Sequence, residues 1–383
     1  MKRSIHTEVV HQNKKDTESI RSKATPIFQT SVFQFKTLED LEGHYEGDGS
    51  YLYTRNGNPN TDELGQAIAK LEGAEDGVAT SSGISAILAG ILAVVQNGDH
   101  ILAAEDLYGG TYHLLGHELK NFGIQVTFAD FTEIESLQSH VHSNTKLIYS
   151  ESITNPFLRV EKIAELVNFA KKNELMTMID NTFATPILLN PIELGVDLVA
   201  HSATKYIGGH SDVSAGVLVG RKELVDKARQ KVVGLGSNLS PFEAWLTMRG
   251  SKTMALRVEK QAANAKELAN ALVESELVEK VYYPQNELPK GNGAIVTVTL
   301  QQKVNMSVFF SALDWIKIVP SLAGVETTVS YPIATSHRAL PKEAKEKLGI
   351  TQHVVRISVG IEELFDIVQQ FTKAIEQAAG KSV

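Results

Sequence analysis

Lys205 stands in the stretch Asp197-Leu-Val-Ala-His-Ser-Ala-Thr-Lys-Tyr-Ile-Gly-Gly-His-Ser-Asp-Val-Ser-Ala-Gly-Val-Leu-Val-Gly220, between two short apolar runs. Such runs predict buried strands at 197–201 and 215–219, and the Ser-, Gly- and His-rich connection brings the ammonium to a strand end. Partial desolvation disfavours the charged amine, so a lysine there can act as nucleophile, base or Schiff-base former. Single loop lysines are mostly solvated. The chemistry has to be argued from residues elsewhere in the chain.

Thr80-Ser-Ser-Gly-Ile-Ser85 falls where an apolar run ends and a helical pattern begins, so backbone N–H groups, hydroxyls and the positive helix end form an anion cradle. Ordinary N-capping by serine explains the segment equally well. It is neither a Walker loop, since no Gly-Lys-Ser/Thr follows, nor a Gly-x-Gly-x-x-Gly fingerprint. Met176-Thr-Met-Ile-Asp180-Asn-Thr-Phe183 ends a buried strand on a carboxylate; Asp180 either caps the next turn or holds a protonated ring nitrogen. Ser202 and Thr204 place hydroxyls beside Lys205. Arg356 lies inside the apolar run Val354-Val-Arg-Ile-Ser-Val-Gly-Ile361, where a charge needs a partner or a ligand. Arg55, in the turn-rich segment 51–62, is an anion clamp or a solvated loop charge. His201, His210, Asp180 and Asp212 are also ligand types that suit a metal. The lysine between the two histidines repels a cation and ranks that reading low.

The elements that must position these residues follow from periodicity. Apolar runs predict strands at 78–81, 101–104, 124–129, 146–150, 176–179, 197–201 and 215–219, with helices near 84–95, 110–121, 133–141 and 160–173. This alternation predicts an α/β fold with a mostly parallel sheet covered by helices, its ligand beyond the carboxyl ends of the strands. Residues 1–50, including a Gly-Asp-Gly cluster at 47–49, show no strong period and read as an irregular arm; 51–240 form the large domain. Ser240-Pro-Phe-Glu243 reads as a capping box with proline at the first helical position. It opens a connector that runs to about Leu277 with a break at Gly250, so 241–383 comprise this connector and a small C-terminal α+β domain. Its strands are predicted near 279–283, 294–300, 316–319, 325–331 and 354–359.

Composition limits the partners. A net charge of −8 without a basic run argues against nucleic acid and anionic membrane surfaces. The absence of cysteine among 383 residues removes disulfides, thiolate metal sites and cysteine nucleophiles together. No apolar run follows the charges at the start, and the longest run, near Ala86 to Val95, is short for a bilayer. A cytoplasmic protein is expected.

The lysine, acid, cradle and arginine together ask for a ligand with a phosphate, a basic ring nitrogen and a carbonyl that reacts with an amine. Pyridoxal phosphate meets all three demands. Ser202-Ala-Thr-Lys-Tyr-Ile-Gly-Gly-His-Ser-Asp212 closely resembles the cofactor-lysine motif of the Cys/Met-metabolism, or trans-sulfuration, enzymes. Tyr53-Thr-Arg55, Asn58-Pro59, Ser82-Gly83, Leu107-Tyr-Gly-Gly-Thr111, Asn155-Pro156, Asp180-Asn-Thr-Phe183, Ser321-Leu322 and Arg356-Ile-Ser-Val-Gly-Ile-Glu362 match family motifs in order. The resemblance covers nearly the whole chain.

It implies a fold-type-I (aspartate-aminotransferase-like) enzyme, usually a homotetramer of two dimers with each active site at a dimer interface. Carried over by position, Lys205 holds the cofactor and then shuttles protons, Asp180 pairs with the pyridinium, and Tyr108 stacks on the ring and exchanges a proton. Gly83 and Ile84 through N–H, with Ser202 and Thr204 through hydroxyls, hold the phosphate, which Tyr53 and Arg55 reach from the neighbouring subunit. Asn155 lies near the ring hydroxyl, and Arg356, helped by Ser321, binds the substrate carboxylate. The implied activity is carbon–sulfur lysis of cystathionine or a related sulfur amino acid. A γ-replacement transferase of the cystathionine γ-synthase kind, using an O-acylhomoserine and a thiol, would use the same residues; a non-catalytic cofactor binder is the reading from another class. Departures from the family pattern are Asn60 after Pro59 where threonine is usual, Gly110 where methionine γ-lyases carry cysteine, Pro320 before Ser321, and a trimmed segment 283–291.

Overall fold

The structure of the chain, a computed structural model, describes residues 3–12, 22–47, 49–284, 288, 290–338 and 342–380. Asp48 of the Gly-Asp-Gly cluster and residues 285–287 and 289 of the trimmed segment lie outside the described residues. Seven strands form the first sheet: β1 (Asp76–Thr80), β2 (His100–Ala104), β3 (Gln125–Ala129), β4 (Thr145–Glu151), β5 (Met176–Asp180), β6 (Leu198–His201) and β7 (Gly216–Gly220). Their order is β1-β7-β6-β5-β4-β2-β3. β2 through β6 pair in parallel, and β7 runs antiparallel to both β6 and β1. Every residue of β2 and of β7 is buried, as expected of near-continuous apolar strands covered on both faces. The predicted strands agree with these to within two residues.

Five further strands form a second sheet: β8 (Val278–Tyr282), β9 (Ile295–Leu300), β10 (Lys317–Ile318), β11 (Thr328–Ser330) and β12 (Val354–Ser358), in the order β10-β11-β12-β9-β8. The helix Leu364–Ala378 buries Ile367, Phe371, Ala374, Ile375 and Ala378, a stripe at three- and four-residue spacing. These side chains share a core with Val296, Val298, Val355 and Ile357. Leu288, Ala294, Ile295, Leu322 and Ala323 belong instead to the core of the first sheet, so the second sheet is seated on the first through an apolar seam.

The arm departs from expectation in that its described residues carry two helices, Ile5–Val10 and Leu38–Glu46. The second buries no side chain, and without a buried face there is no period to read. Asn60 accounts for its own unusual identity. It is 1% exposed, its Nδ2 donates to Pro26 O and its Oδ1 accepts the Phe28 N–H, at 2.8 Å each, so it clamps the arm to the helix Pro59–Glu72. Pro241 does open the helix Pro241–Ser251, but the capping box does not form, since the Ser240 side chain makes no capping hydrogen bond. The break after Ser251 precedes a second helix, Met254–Val273. Among the described residues no helix is long and apolar enough to cross a membrane.

His100, at the start of β2, is 1% exposed; its Nδ1 and Nε2 lie 2.8 and 2.9 Å from Thr145 Oγ1 and Thr127 Oγ1. Burial, then the stacked His142, lowers its pKa from 6.5 to about 4. The unfolded chain therefore takes up a proton that the native chain refuses. Stability is expected to be full above the unfolded value and to fall as pH drops from 6.5 toward about 4, by up to about 1.4 kcal/mol per pH unit. Urea midpoints measured across that window should show a shallower slope for His100→Gln; equal slopes would remove His100 as the cause.

Candidate active site

The carboxyl ends of β4, β5 and β6 open into a cavity of about 180 Å³ that the second sheet closes from the other side. Gly83, Ile84, Tyr108, Asn155, Asp180, Ser202, Thr204, Lys205, Ser321 and Arg356 all line it. Tyr53 and Arg55 do not: Tyr53 is 40% exposed, and the Arg55 guanidinium lies over its ring at 5.2 Å.

At one end of the cavity begins the helix Gly83–Val94. Ser82 Oγ accepts the Ser85 N–H at 3.1 Å, so the capping role is real, and it leaves residues 83 and 84 on the cavity wall. First-turn N–H groups lack intrahelical acceptors, and the helix end favours an anion. A Cβ on Gly83 would come within 2.7 Å of Ser202 Cβ, so glycine is what lets the helix end meet the lysine loop. Thr204 Oγ1 donates to Ala215 O at 3.1 Å and accepts the Ala215 N–H at 3.0 Å, which commits its proton to the loop backbone.

Lys205 comes from the loop between β6 and β7, and Arg356 from the buried strand β12 of the other sheet. Lys205 Nζ donates to Ser321 Oγ at 2.7 Å. Arg356 Nη1 donates to Asn155 Oδ1 at 2.9 Å and Nη2 to Ser321 O at 3.4 Å, while its Nε has no partner among the described residues. No carboxylate among the described residues pairs with either cation. Burial, helped by Arg356, lowers the Lys205 pKa from 10.5 to about 8, and burial lowers that of Arg356 to about 10. Asp180 Oδ1 accepts the Thr182 N–H at 2.9 Å, so this acid caps the turn and faces the cavity at once. Burial raises its pKa, against the Thr182 hydrogen bond and His201.

Three residues that hold the site together were not singled out in the sequence. Glu151, the last residue of β4, lines the cavity and accepts the Tyr108 N–H at 2.7 Å. Its signal was present: an acid at the end of an apolar strand, as with Asp180. Arg257, 5% exposed, donates to Tyr206 O and Gly250 O at 2.9 Å each and underpins the lysine loop. Gly250 itself packs against the Gly208 carbonyl, with no room for a Cβ. Glu72, fully buried, accepts Asn181 Nδ2 and pairs with His201 Nε2 at 2.8 Å each, tying down the residues next to Asp180 and Ser202. His210 Nδ1 lies 2.8 Å from Gly208 O. The two histidines thus turn to separate partners, and among the described residues no cluster of three His, Asp or Glu could hold a metal.

The donor set fits pyridoxal phosphate: a desolvated amine without an anion, an acid at a strand end, a helix N-terminus beside hydroxyls, and a buried arginine with an orphaned Nε. Fold and site together define a pyridoxal phosphate-dependent enzyme. The chain belongs to the Cys/Met metabolism PLP-dependent enzyme family, whose model matches residues 6–376. It is 38% identical to a cystathionine beta-lyase of Lactococcus lactis subsp. cremoris (strain MG1363), over 98% of this chain and 99% of the relative. Cystathionine gamma synthase from Xanthomonas oryzae pv. oryzae, solved with cystathionine, superposes with a TM-score of 0.93 at 34% identity, covering 100% of each chain. A protein of Campylobacter jejuni subsp. jejuni NCTC 11168, described as an O-acetylhomoserine (thiol)-lyase and holding a pyridoxyl-lysine monophosphate, superposes with a TM-score of 0.91 at 28% identity, over 97% of this chain and 99% of that one.

Only the neutral amine is nucleophilic, so acylation of Lys205 in the cofactor-free protein should reach half its maximal rate near pH 8. Removing the neighbouring positive charge in Arg356→Gln should move that midpoint upward. Peptide mass spectrometry across a pH series reads both; a midpoint near 10.5 in the parent protein would show that the cavity does not desolvate the amine.

Proposed function

We propose that the chain is a carbon–sulfur lyase that eliminates a thiol from cystathionine or a related sulfur amino acid. The observation that carries this is a pair of cations that Ser321 bridges and that no carboxylate among the described residues meets: an amino acid substrate supplies Arg356 with a carboxylate and comes within reach of Lys205. Bound, the cofactor supplies an electron sink for negative charge developing at the substrate α carbon. Lys205 holds it and afterwards serves as the base that takes the α proton, a role suited to an amine that titrates near 8. Asp180 pairs with the ring nitrogen. The Gly83 and Ile84 N–H groups and the Ser202 and Thr204 hydroxyls hold the phosphate; Thr204 does so by turning its proton away from Ala215 O. Asn155 steadies Arg356 and would hold the ring hydroxyl. Tyr108, 43% exposed on the cavity wall, would cover the ring and hand a proton to the departing sulfur.

Tyr53 and Arg55 reach the phosphate of a second copy, in a homotetramer of two dimers in the cytoplasm. Their exposure and their place outside the lining of their own cavity, with Val32, Leu38 and Tyr45 also exposed in the arm, support this. The likeness to a cystathionine gamma synthase favours a second reading, γ-replacement on an O-acylhomoserine by a thiol.

The purified protein with added cofactor should show a visible absorbance band that Lys205→Ala abolishes. Release of pyruvate or 2-oxobutyrate from cystathionine is then expected to exceed cystathionine synthesis from O-acylhomoserine and cysteine; synthesis alone would overturn the lyase reading. Arg55→Ala and Lys205→Ala should each be inactive, yet mixing and reassembling the two should restore activity, because a site built from two copies then has one intact pair. No recovery would place Arg55 outside the shared site.

A further inference from the structure

Glu151 and Asp180 are paired in register at the ends of the parallel strands β4 and β5. Register partners leave a sheet on the same face, and both carboxyls line the cavity. Glu151 is 5% exposed, and its Oε1 accepts the Tyr108 N–H at 2.7 Å. The titratable groups around it are Asp180 on β5, Tyr149 on its own strand, Asp106 after β2 and Arg159. Arg159 is the one cation of that set, and it is committed elsewhere: Nε and Nη2 donate to Asp106 at 2.8 Å each, and Nη1 lies 3.2 Å from Glu161. Of this half-buried and this buried carboxyl, Asp180 has His201 near it to favour its anion, while no uncommitted cation among the described residues reaches Glu151. Asp180 is the one that a ring N–H requires as an anion, which leaves the proton to Glu151.

We propose that Glu151 is a positioning residue that works as a neutral carboxylic acid, holding the Tyr108 backbone through Oε1 while sparing Asp180 a second negative charge. This rests on the reading of Asp180 as partner of the ring nitrogen. Burial first, and Asp180 second, also raise the Glu151 pKa well above the carboxyl range. The proton makes the side chain a silent neighbour to the ion pair; an ionised Glu151 would compete for the ring N–H and pull Tyr108 with it.

Infrared spectra of the cofactor-loaded protein at neutral pH test the protonation directly. A carboxylic acid C=O band is expected in the parent protein and should be lost in Glu151→Gln; a missing band, or one that survives in the variant, overturns the inference. Glu151→Gln keeps a neutral acceptor of the same shape and should stay within about threefold of the parent in cofactor affinity and kcat/KM, whereas Glu151→Ala orphans the Tyr108 N–H and should lose about tenfold or more in kcat/KM. If the glutamine variant is as impaired as the alanine variant, the charge is needed and the proposal fails. Asp180→Asn that binds cofactor as tightly as the parent would overturn the ring-nitrogen reading, while the infrared band still decides the state of Glu151.

Discussion

Two cations share one small cavity with no carboxylate among the described residues against either, and much of the structure serves to keep them there. Lys205 belongs to the first sheet and Arg356 to the second, and Ser321 touches both, one through its hydroxyl and the other through its carbonyl. Their spacing is therefore set by the seam in which Leu322, Ala323 and Ile295 sit within the core of the first sheet. A slip along that seam would separate Lys205 from Arg356, the proposed base and carboxylate clamp, and reactions that depend on held geometry lose rate steeply with such displacement. Burial that the chain spends on this pair is also what makes Lys205 partly neutral near neutral pH.

The acid end of the cavity is built on the opposite plan, with every charge anchored. Asp180 is held by Thr182, and the chain beside it by Asn181, whose amide reaches the buried Glu72. The same carboxylate holds His201, the residue before Ser202. Glu72 ends the helix that starts at Pro59, four residues beyond Arg55. One helix thus connects the exposed segment proposed to serve a second copy with the strand ends that carry the acid and the lysine loop. The ties run through Asn181 Nδ2 and His201 Nε2, while Asn181 Oδ1 and His201 Nδ1 have no partner among the described residues.

Much of this was legible in the order of residues. Apolar runs and helical spacing located the strands because burial on both faces leaves an uninterrupted apolar signature. Asp180 and Arg356 stood out because each puts a charge in or at the end of an apolar run, and Lys205 because its polar loop lies between two such runs. Elements without such contrast were missed. The helix Leu38–Glu46 buries nothing, and on the helix Met254–Val273 burial runs against residue type, with Arg257 buried and the neighbouring Leu256 exposed. Glu151 shows the same contrast as Asp180 but belongs to no motif that named it.

By itself the sequence determined the order of the elements, the residue types available for chemistry and the family, since these depend on local periodicity and on motifs read along the chain. Only the tertiary structure decided that Thr204 is engaged with Ala215 and Asn155 with Arg356, that Tyr53 and Arg55 do not line their own cavity, and that Glu151 is in register with Asp180. The physical reason is that hydrogen-bond partners and desolvation belong to the space around a side chain. Residues 151 and 180, or 205 and 356, share that space only once the sheets have formed and packed.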